Sequence, residues 1–204
     1  GGMTYQDYAD DYESFEAILE NLDRHVKKGN IRHIGVSNET SYGVMKFVAE
    51  AERRGLPRIA SIQNAYNLVN RTFEYGLAEI ALREQVGLLA YSPLAQGYLS
   101  GKYSGGALPQ GSRKQLFNRL QRYEGPGAAT AMESYFALAR ELGVRPETLA
   151  LKFCDTRPFV TSTIIGATTQ AQLEICVDAF DMPWTQAISD KVDALHEAQP
   201  NPCP

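Results

Sequence analysis

Short apolar segments alternate with helical patterns along most of the chain, and this alternation restricts its fold more than any other feature. Between the apolar segments hydrophobic residues recur at helical spacing, as they do from Phe15 to Val26 behind a candidate N-cap at Ser14. Strands separated by helices of about ten or more residues pair in parallel through right-handed crossovers. The pattern therefore predicts an α/β fold with a parallel sheet. The four predicted strands are residues 31–36, 59–62, 86–90 and 160–165.

Four strand–helix units fit two kinds of parallel sheet. They make half of an eight-unit (β/α)8 TIM barrel, which typically needs ~250 residues, whereas this chain has 204. The alternative is a small doubly wound sheet, but no predicted strand is followed by the G-x-G-x-x-G turn that a dinucleotide-binding sheet would use. We therefore expect half of a barrel, incomplete in this chain, with Pro146 beginning one helix and Thr169 capping the next.

Composition argues against several classes of function. The net charge is −4 and no basic run exceeds two residues, whereas a nucleic-acid groove needs a basic stripe. No apolar run approaches the ~20 residues of a membrane-spanning helix, and the acidic, Tyr-rich start does not resemble a signal peptide. Cys154, Cys176 and Cys203 lack the spacing of a metal site and are expected to be free thiols. We therefore expect a cytoplasmic protein with no metal, no nucleic-acid partner and no membrane anchor.

Hydrogen-bonding side chains follow each of the four predicted strands. In a parallel barrel the residues after the strands form the active face. Amide and hydroxyl groups suit a carboxamide, an aromatic ring can stack on a flat heterocycle, and small residues before a helix suit a phosphate. The alternative is that the Asn and Thr residues only cap helices, but four such strand ends together favour a ligand site. These positions are Ser37–Asn38, Gln63–Asn64, Tyr91–Leu94 and Gly166–Thr169.

Residues 92–127 are predicted to form a long loop, rich in glycine and proline. A structureless stretch of that length inside a compact domain is more often functional than accidental. Within it, Gly97–Tyr103 is similar to the phosphate-binding loop of nucleotide triphosphatases but has one residue too few between its glycines. Tyr103 also stands where a Mg²⁺-binding Ser or Thr is needed. A nucleotide triphosphatase is therefore not expected.

Three segments resemble motifs of the aldo-keto reductases. Lys28–Asn38, KGNIRHIGVSN, resembles the fifth-strand motif of that family. Tyr91–Tyr103, YSPLAQGYLSGKY, resembles the seventh-strand motif, and Ile164–Leu173, IIGATTQAQL, resembles the eighth. The resemblance is to the bacterial NADP(H)-dependent branch, to which the potassium-channel β subunits are related. It implies that the chain carries strands five to eight of the barrel.

The same resemblance implies a domain organisation and a nicotinamide site. Residues 1–204 would be a single partial domain, with 1–13 in the loop after the fourth strand and 92–127 as the cofactor loop. The nicotinamide carboxamide of NADP(H) would be held by Ser37, Asn38 and Gln63. Tyr91 would stack on the nicotinamide ring.

The resemblance further implies contacts to the phosphates of the cofactor. Lys102 and Arg113 would supply cations, and cations near a 2′-phosphate favour NADP over NAD. The pyrophosphate would be lined by Ser92, Pro93, Leu94, Gln96 and Gly97. The adenosine 2′-phosphate side would be bound by Gly166, Thr168 and Gln172.

The chain departs from the family pattern on the adenine side. The family commonly places Glu and Asn there, whereas this chain has Ile175 and Cys176, which removes hydrogen-bond partners of the adenine amino group. Cys176 is expected to be packed and unreactive. The departure predicts weaker contacts to adenine.

No catalytic residue is expected in this chain. The family's catalytic Asp, Tyr, Lys and His lie on the first four strands, and a general acid must reach the carbonyl oxygen within about 2.6–3.2 Å. The tyrosines that precede the first predicted helix, Tyr5, Tyr8 and Tyr12, would not take that place. The resemblance implies that a full-length parent reduces an aldehyde or ketone by hydride transfer from NADPH, and that this polypeptide alone does not.

Two other functions remain open at this stage. One is a non-catalytic nucleotide-binding module like the channel β subunits, and the other is a structural relic that binds nothing. In each case the strand edges at residues 31–36 and 161–165 are expected to be unpaired, and long free edges invite self-association.

Overall fold

A four-stranded parallel sheet lies at the centre of the computed structural model, which describes residues 13–117 and 121–204. Its strands are β1 (Ile34–Ser37), β2 (Ile59–Ala65), β3 (Gly87–Tyr91) and β4 (Val160–Thr163). They lie in chain order, β1-β2-β3-β4, and every neighbouring pair is parallel. The expected α/β fold with a parallel sheet is confirmed.

Helices fill the connections between the strands. The helices of the described residues are α1 (Phe15–Lys27), α2 (Ser41–Arg54), α3 (Leu77–Glu84), α4 (Arg113–Phe117), α5 (Ala128–Glu141), α6 (Pro146–Asp155), α7 (Gln170–Asp178) and α8 (Gln186–Ala198). Ser14 caps α1 by accepting a hydrogen bond from the Ala17 N–H at 3.1 Å, and Thr169 caps α7 in the same way. Pro146 begins α6. These three sequence predictions are confirmed.

The strand bounds differ from the sequence prediction: β2 extends to Ala65 and so contains Gln63 and Asn64, β3 is shifted by one residue, and β4 ends at Thr163. β1 begins at Ile34, not at residue 31, because the chain is still turning away from α1 at that point: Gly29 has a φ of +74°, and the Asn30 N–H bonds back to the His25 carbonyl at 3.0 Å. The long loop is not structureless, since it contains α4 and several short 3₁₀ turns.

One face of the sheet forms the core. Val36, Ile62 and Leu88 are direct neighbours across three strands, and Ile62 and Leu88 are fully buried against the helices. Burying such a side chain contributes about 1.5–3 kcal/mol relative to leaving it in water. This row therefore fixes which face of each strand points inward.

The opposite face carries mostly small and polar residues, with the half-buried Leu89 beside Gln63 as an exception. A Cβ on Gly35 would lie only 2.6 Å from Ser61 Oγ, and a Cβ on Gly87 would overlap Thr161 Oγ1. Gly35, Ser37, Gln63 and Thr161 are exposed. Because strands in sequential order with right-handed crossovers put every helix on the same side, this second face is left open.

Of the helices in the described part of the chain, none has the length and hydropathy needed to span a bilayer.

Candidate functional site

The ends of β1 and β2 are tied together at the carboxyl edge of the sheet. Ser37 is the register partner of Gln63, and its hydroxyl donates a hydrogen bond to the Gln63 carbonyl at 3.1 Å. The Asn38 N–H donates to the same carbonyl at 3.0 Å. The side chains of all three residues remain exposed, so amide and hydroxyl groups gather at one point of this edge.

Tyr91 joins this group from the end of β3. Its hydroxyl donates a hydrogen bond to Asn38 Oδ1 at 2.8 Å, and its side chain is half-buried. The structure therefore brings Ser37, Asn38, Gln63 and Tyr91 together at one edge of the sheet, as expected. Only Asn38 follows its strand, however, since Ser37, Gln63 and Tyr91 lie within the last residues of β1, β2 and β3.

Arg122 is part of the same group, and sequence analysis did not identify it. Burial lowers the pKa of its guanidinium, but the hydroxyls of Tyr91 and Tyr123 raise it, and the net change is a rise. The guanidinium therefore lies beside the Tyr91 hydroxyl. The sequence offers one indication of this role: Arg122 is a further basic residue in the long loop that also contains Lys102 and Arg113.

Backbone strain is concentrated after β1 and β3. Asn38 has a φ of +54°, and Ser92, Ala95 and Gln96 have values of +54°, +48° and +57°. These are four of the six described non-glycine residues with positive φ. Each such conformation costs on the order of 1–3 kcal/mol, and strain of this kind is typical of functional sites. Asn67, fully buried, holds the segment by donating to the Ser92 carbonyl at 3.0 Å.

Gly97 and Lys102 fit closely together in this segment. Gly97 has a φ of +99°, and a Cβ there would lie 2.8 Å from Lys102 Nζ. The ammonium group also lies 5.2 Å from the centre of the Tyr103 ring. Lys102 is thus held against the backbone of the strained segment while remaining exposed.

Pro93, Leu94 and Gln96 are at least partly withdrawn from solvent. Pro93 is buried, while Leu94 is half-buried and packs against the small cluster of Leu151, Cys176 and Ala179. Gln96 Oε1 is buried and has no hydrogen-bond partner among the described residues, and the same is true of Asn64 Oδ1.

An aromatic cluster anchors the long loop and positions Arg113. The rings of Tyr98 and Tyr103 lie 4.8 Å apart, and the Tyr98 hydroxyl bonds to Glu124. The Lys114 ammonium group forms an ion pair with Glu124 at 2.7 Å, and the backbone N–H of Lys114 donates a hydrogen bond to the Tyr103 hydroxyl at 3.2 Å. Arg113 directly precedes Lys114 and is exposed. Lys102, Arg113 and Arg122 form no ion pair within the described ranges.

The residues after β4 form a second, separate group. Gln172 Oε1 accepts hydrogen bonds from the Thr168 N–H at 2.9 Å and from its hydroxyl at 3.0 Å. Gly166 is exposed beside them. The Ile164 N–H donates to the Ala90 carbonyl near the end of β3 at 2.8 Å. Within the residues that the structure describes, no hydrogen bond joins Gly166, Thr168 or Gln172 to the ends of β1 to β3.

Cys176 lies behind this second group. It is 3% exposed and packs with Leu151 and Ala179, and burial raises the pKa of its thiol. The prediction that Cys176 is packed is confirmed. In front of it, between α6 and α7, lies an open groove of about 380 Å³. The groove is lined by Arg145, Thr148, Ala171, Glu174, Ile175 and Asp178.

Comparison with known proteins agrees with the motifs. The chain matches the Aldo/keto reductase family over residues 2–197. The protein tas of Escherichia coli (strain K12) is 44% identical over 191 residues, which are 92% of this chain and 55% of that protein. An aldo-keto reductase of Babesia bovis is 39% identical over 89% of this chain and 66% of its own length. A probable voltage-gated potassium channel subunit beta of Arabidopsis thaliana is 29% identical over 86% of this chain and 55% of its own length.

The chain therefore belongs to the aldo/keto reductase family. It spans about half the length of the curated relatives tas and the Arabidopsis channel subunit.

Proposed function

We propose that this chain is the cofactor-binding half of an NADP(H)-dependent carbonyl reductase built on a (β/α)8 barrel, whose other half carries the catalytic group. The observation that carries the proposal is the group formed by Ser37, Asn38, Gln63 and Tyr91 at the carboxyl edge of the sheet. In parallel barrels this edge is the one that binds ligands and performs chemistry.

The group suits a nicotinamide. A carboxamide needs both hydrogen-bond donors and acceptors, and the exposed Ser37, Asn38 and Gln63 side chains offer both kinds. Tyr91 presents a half-buried ring whose hydroxyl is fixed by Asn38 and approached by Arg122. A ring held in this way can stack on a flat heterocycle without a further loss of side-chain freedom.

The cations of the long loop suit the phosphates of the same ligand. Lys102, Arg113 and Arg122 form no ion pair with any described residue, whereas Lys114 is neutralised by Glu124. Charge-assisted hydrogen bonds to phosphate are roughly twice as strong as neutral ones, and Arg can make them in pairs. Three uncompensated cations favour a ligand with the extra phosphate of NADP over one without it.

The residues after β4 would bind the adenosine end. Thr168 and Gln172 form one hydrogen-bonded unit that would face the 2′-phosphate side, with Gly166 beside it. Ile175 lines the adjacent groove where relatives commonly have Glu, so the adenine amino group would lose an acceptor. We expect the nicotinamide and phosphates to contribute most of the affinity.

Bound NADPH would supply a hydride, and the substrate would be an aldehyde or a ketone. The residues of this chain would bind and orient the cofactor. A carbonyl also needs a proton donor within about 2.6–3.2 Å, which we assign to the other half of the barrel. Alone, this polypeptide is expected to bind NADPH without reducing carbonyls.

A cofactor titration tests this proposal. NADPH fluorescence should saturate with the purified chain, and Arg113→Ala and Arg122→Ala should each weaken binding about tenfold or more, because each removes a charged hydrogen bond. Arg140→Ala is the matched control, since Arg140 is an exposed arginine on α5 outside the group. Arg113→Ala should also reduce the preference for NADPH over NADH. Absence of saturation, or an equal loss in the control, would contradict the proposal.

A second candidate is a nucleotide-binding module without catalysis. It is favoured by the neutral side chains of Ser37, Asn38 and Gln63 at the edge of the sheet, and by the likeness to a protein named as a channel subunit. Aldehyde reduction by a full-length parent would decide for the reductase. Binding of NADPH without turnover by that parent would decide for the module.

The free thiols suggest in which cellular compartment the protein resides. Cys154, Cys176 and Cys203 are all buried and unpaired. Free cysteines of this kind are typical of reducing compartments, so we propose the cytoplasm as the location.

A further inference from the structure

The loop that follows β2 is buried along its whole length, and each of residues 66–71 is at most 6% exposed. Loops normally run over the surface, because buried N–H and C=O groups must each find a partner. Here Asn67 and Asn70 exchange two backbone hydrogen bonds of 3.0 and 3.1 Å. The Cys203 N–H donates to the Val69 carbonyl at 3.1 Å. The loop is therefore held in one position before any ligand binds.

The side chain of Asn67 is fully buried within this loop and makes three hydrogen bonds. Its Oδ1 accepts from the Val69 N–H at 3.1 Å. Its amide nitrogen donates to the Ser92 carbonyl at 3.0 Å and to the Tyr123 hydroxyl at 3.3 Å. Half a turn of the amide would set its oxygen against the Ser92 carbonyl and its N–H groups against the Val69 N–H. Only one orientation of the amide therefore satisfies these partners.

The two acceptors of this amide belong to different parts of the candidate cofactor site. Ser92 begins the strained segment after β3 and has a φ of +54°. Tyr123 is 2% exposed and directly follows Arg122, which is exposed. The Tyr123 hydroxyl lies beside the Arg122 guanidinium, as the Tyr91 hydroxyl does. One buried side chain is thus connected both to the strained backbone and to the support of a cation.

We propose that Asn67 is a positioning residue of the cofactor site, whose one buried amide holds two parts of that site. It fixes the backbone at Ser92 directly, and it fixes the Arg122 guanidinium through the hydroxyl of Tyr123. This inference rests on the proposed function, because it assigns Asn67 to the same NADP(H) site. Asn67 itself would not touch the cofactor, since it is fully buried. A side chain that becomes ordered only on binding lowers affinity, so a cation held in place beforehand binds phosphate more tightly.

Truncation of the amide is the first test. Asn67→Ala should weaken NADPH binding about tenfold or more in a fluorescence titration, because it releases two supports of the site together. Asn70→Ala is the matched control: Asn70 is a buried asparagine of the same loop, but its Oδ1 accepts from the N–H and the hydroxyl of Thr72. Both variants should lose stability, whereas Asn70→Ala should keep the affinity of the unaltered chain. Equal losses of affinity would overturn the inference.

Tyr123→Phe tests the connection to Arg122 with the core still filled. It removes the hydroxyl but keeps a ring whose centre lies 6.1 Å from that of Tyr98. We expect the affinity for NADPH to fall about two- to tenfold. In an Arg122→Ala background the same change should have little further effect, but in an Arg113→Ala background the full loss should persist. The same loss in both backgrounds would show that Tyr123 does not act through Arg122.

The mobility of the Arg122 side chain provides a test that needs no cofactor. Nitrogen relaxation of the arginine Nε–H groups, measured by NMR, should show Arg122 more ordered than the exposed Arg140 on α5. Asn67→Ala and Tyr123→Phe should raise the mobility of Arg122 toward that of Arg140, and Asn70→Ala should leave it unchanged. If Arg122 were as mobile as Arg140 in the unaltered chain, the inference would be overturned.

The same samples separate this inference from the proposed function. Unchanged NADPH binding in Asn67→Ala would overturn the positioning role and leave the cofactor site intact. A chain that binds no NADPH, but whose Arg122 becomes mobile in Asn67→Ala, would contradict the cofactor site and leave the link from Asn67 to Arg122 intact. Urea unfolding of each variant shows whether it has folded before it is scored.

Discussion

The Tyr91 hydroxyl donates a hydrogen bond to Asn38 Oδ1 at 2.8 Å, although the strands that carry these two residues are separated by β2. The Asn38 N–H in turn donates to the Gln63 carbonyl at the end of that middle strand. Three strand ends are therefore joined into one unit by two hydrogen bonds. The position of the aromatic ring depends on both β1 and β3.

Replacing Tyr91 by Phe should weaken NADPH binding modestly. The change removes the hydroxyl that contacts Asn38 and Arg122 but keeps the ring. A net hydrogen bond contributes about 0.5–1.5 kcal/mol, so we expect a loss of roughly two- to tenfold, and a larger loss for Tyr91→Ala. Fluorescence titration measures both. Tyr42→Phe, at an exposed tyrosine on α2, is the control, and an equal loss there would count against this role.

Gly97→Ala should impair binding through Lys102. The new methyl group would lie 2.7 Å from Lys102 Cε and would displace the ammonium group. Gly105→Ala also places Ala at a positive φ, but nothing lies within 4 Å of its Cβ. Both variants should lose on the order of 1–2 kcal/mol of stability from the left-handed backbone, as measured by urea unfolding.

Only Gly97→Ala is expected to weaken NADPH binding as well. In a Lys102→Ala background it should cause little further loss, because the displaced group is already absent. Additive losses in the double variant would show that Gly97 acts independently of Lys102.

Arg71→Leu should be among the most destabilising single substitutions. The Arg71 side chain is 7% exposed, contacts Glu74 at 2.9 and 2.8 Å and contacts Asp193 of α8 at 2.8 Å. The substitution removes a buried guanidinium and its charged hydrogen bonds, while Glu74 and Asp193 are 22% and 42% exposed and stay partly solvated, so we expect a loss of about 1.5–3 kcal/mol. Arg83→Leu breaks an exposed pair with Glu79 and should cost at most about 1 kcal/mol. If Arg71→Leu and Arg83→Leu lost similar amounts of unfolding free energy in denaturant, the stabilising role of the Arg71 ion pairs would be contradicted.

His196 should make the fold less stable in mild acid. Burial lowers the pKa of this histidine, and so does the charge of Arg71, while Glu74, Asp193 and Glu197 oppose the shift. The unfolded chain therefore binds more protons than the folded chain as the pH falls below about 6.5, and stability decreases with falling pH in that range. His196→Asn should flatten the dependence of unfolding free energy on pH there. If unfolding free energy changed with pH as steeply in His196→Asn as in the unaltered protein, groups other than His196 would cause the dependence.

The sequence predicted the group at the carboxyl edge because that group follows from topology. The last residues of parallel strands share one edge of the sheet, so Ser37, Gln63 and Tyr91 could be placed together without knowledge of any loop. Helix caps such as Ser14 and Thr169 were also predictable, since their hydrogen bonds reach only three residues along the chain.

Contacts that depend on the path of the long loop could not be predicted in this way. Arg122 is far from Tyr91 in sequence, and it lies beside Tyr91 because of the path of the loop between them, which is anchored by contacts among Tyr98, Tyr103 and Lys114. The start of β1 was misplaced for a local reason. Ile31 continues the apolar pattern of the strand, but the turn at Gly29 delays the first ladder bond until Ile34.

The row of Gly35, Ser61, Gly87 and Thr161 on the open face has a consequence for the evolution of this fold. Glycine and a hydroxyl residue alternate across the four strands, and each glycine has the neighbouring side chain in the space where its own Cβ would lie. A larger residue can therefore enter at position 35 only if position 61 becomes smaller, and position 87 is tied to position 161 in the same way. Among homologous sequences these positions should covary in pairs, with the sum of their side-chain volumes changing less than either volume alone.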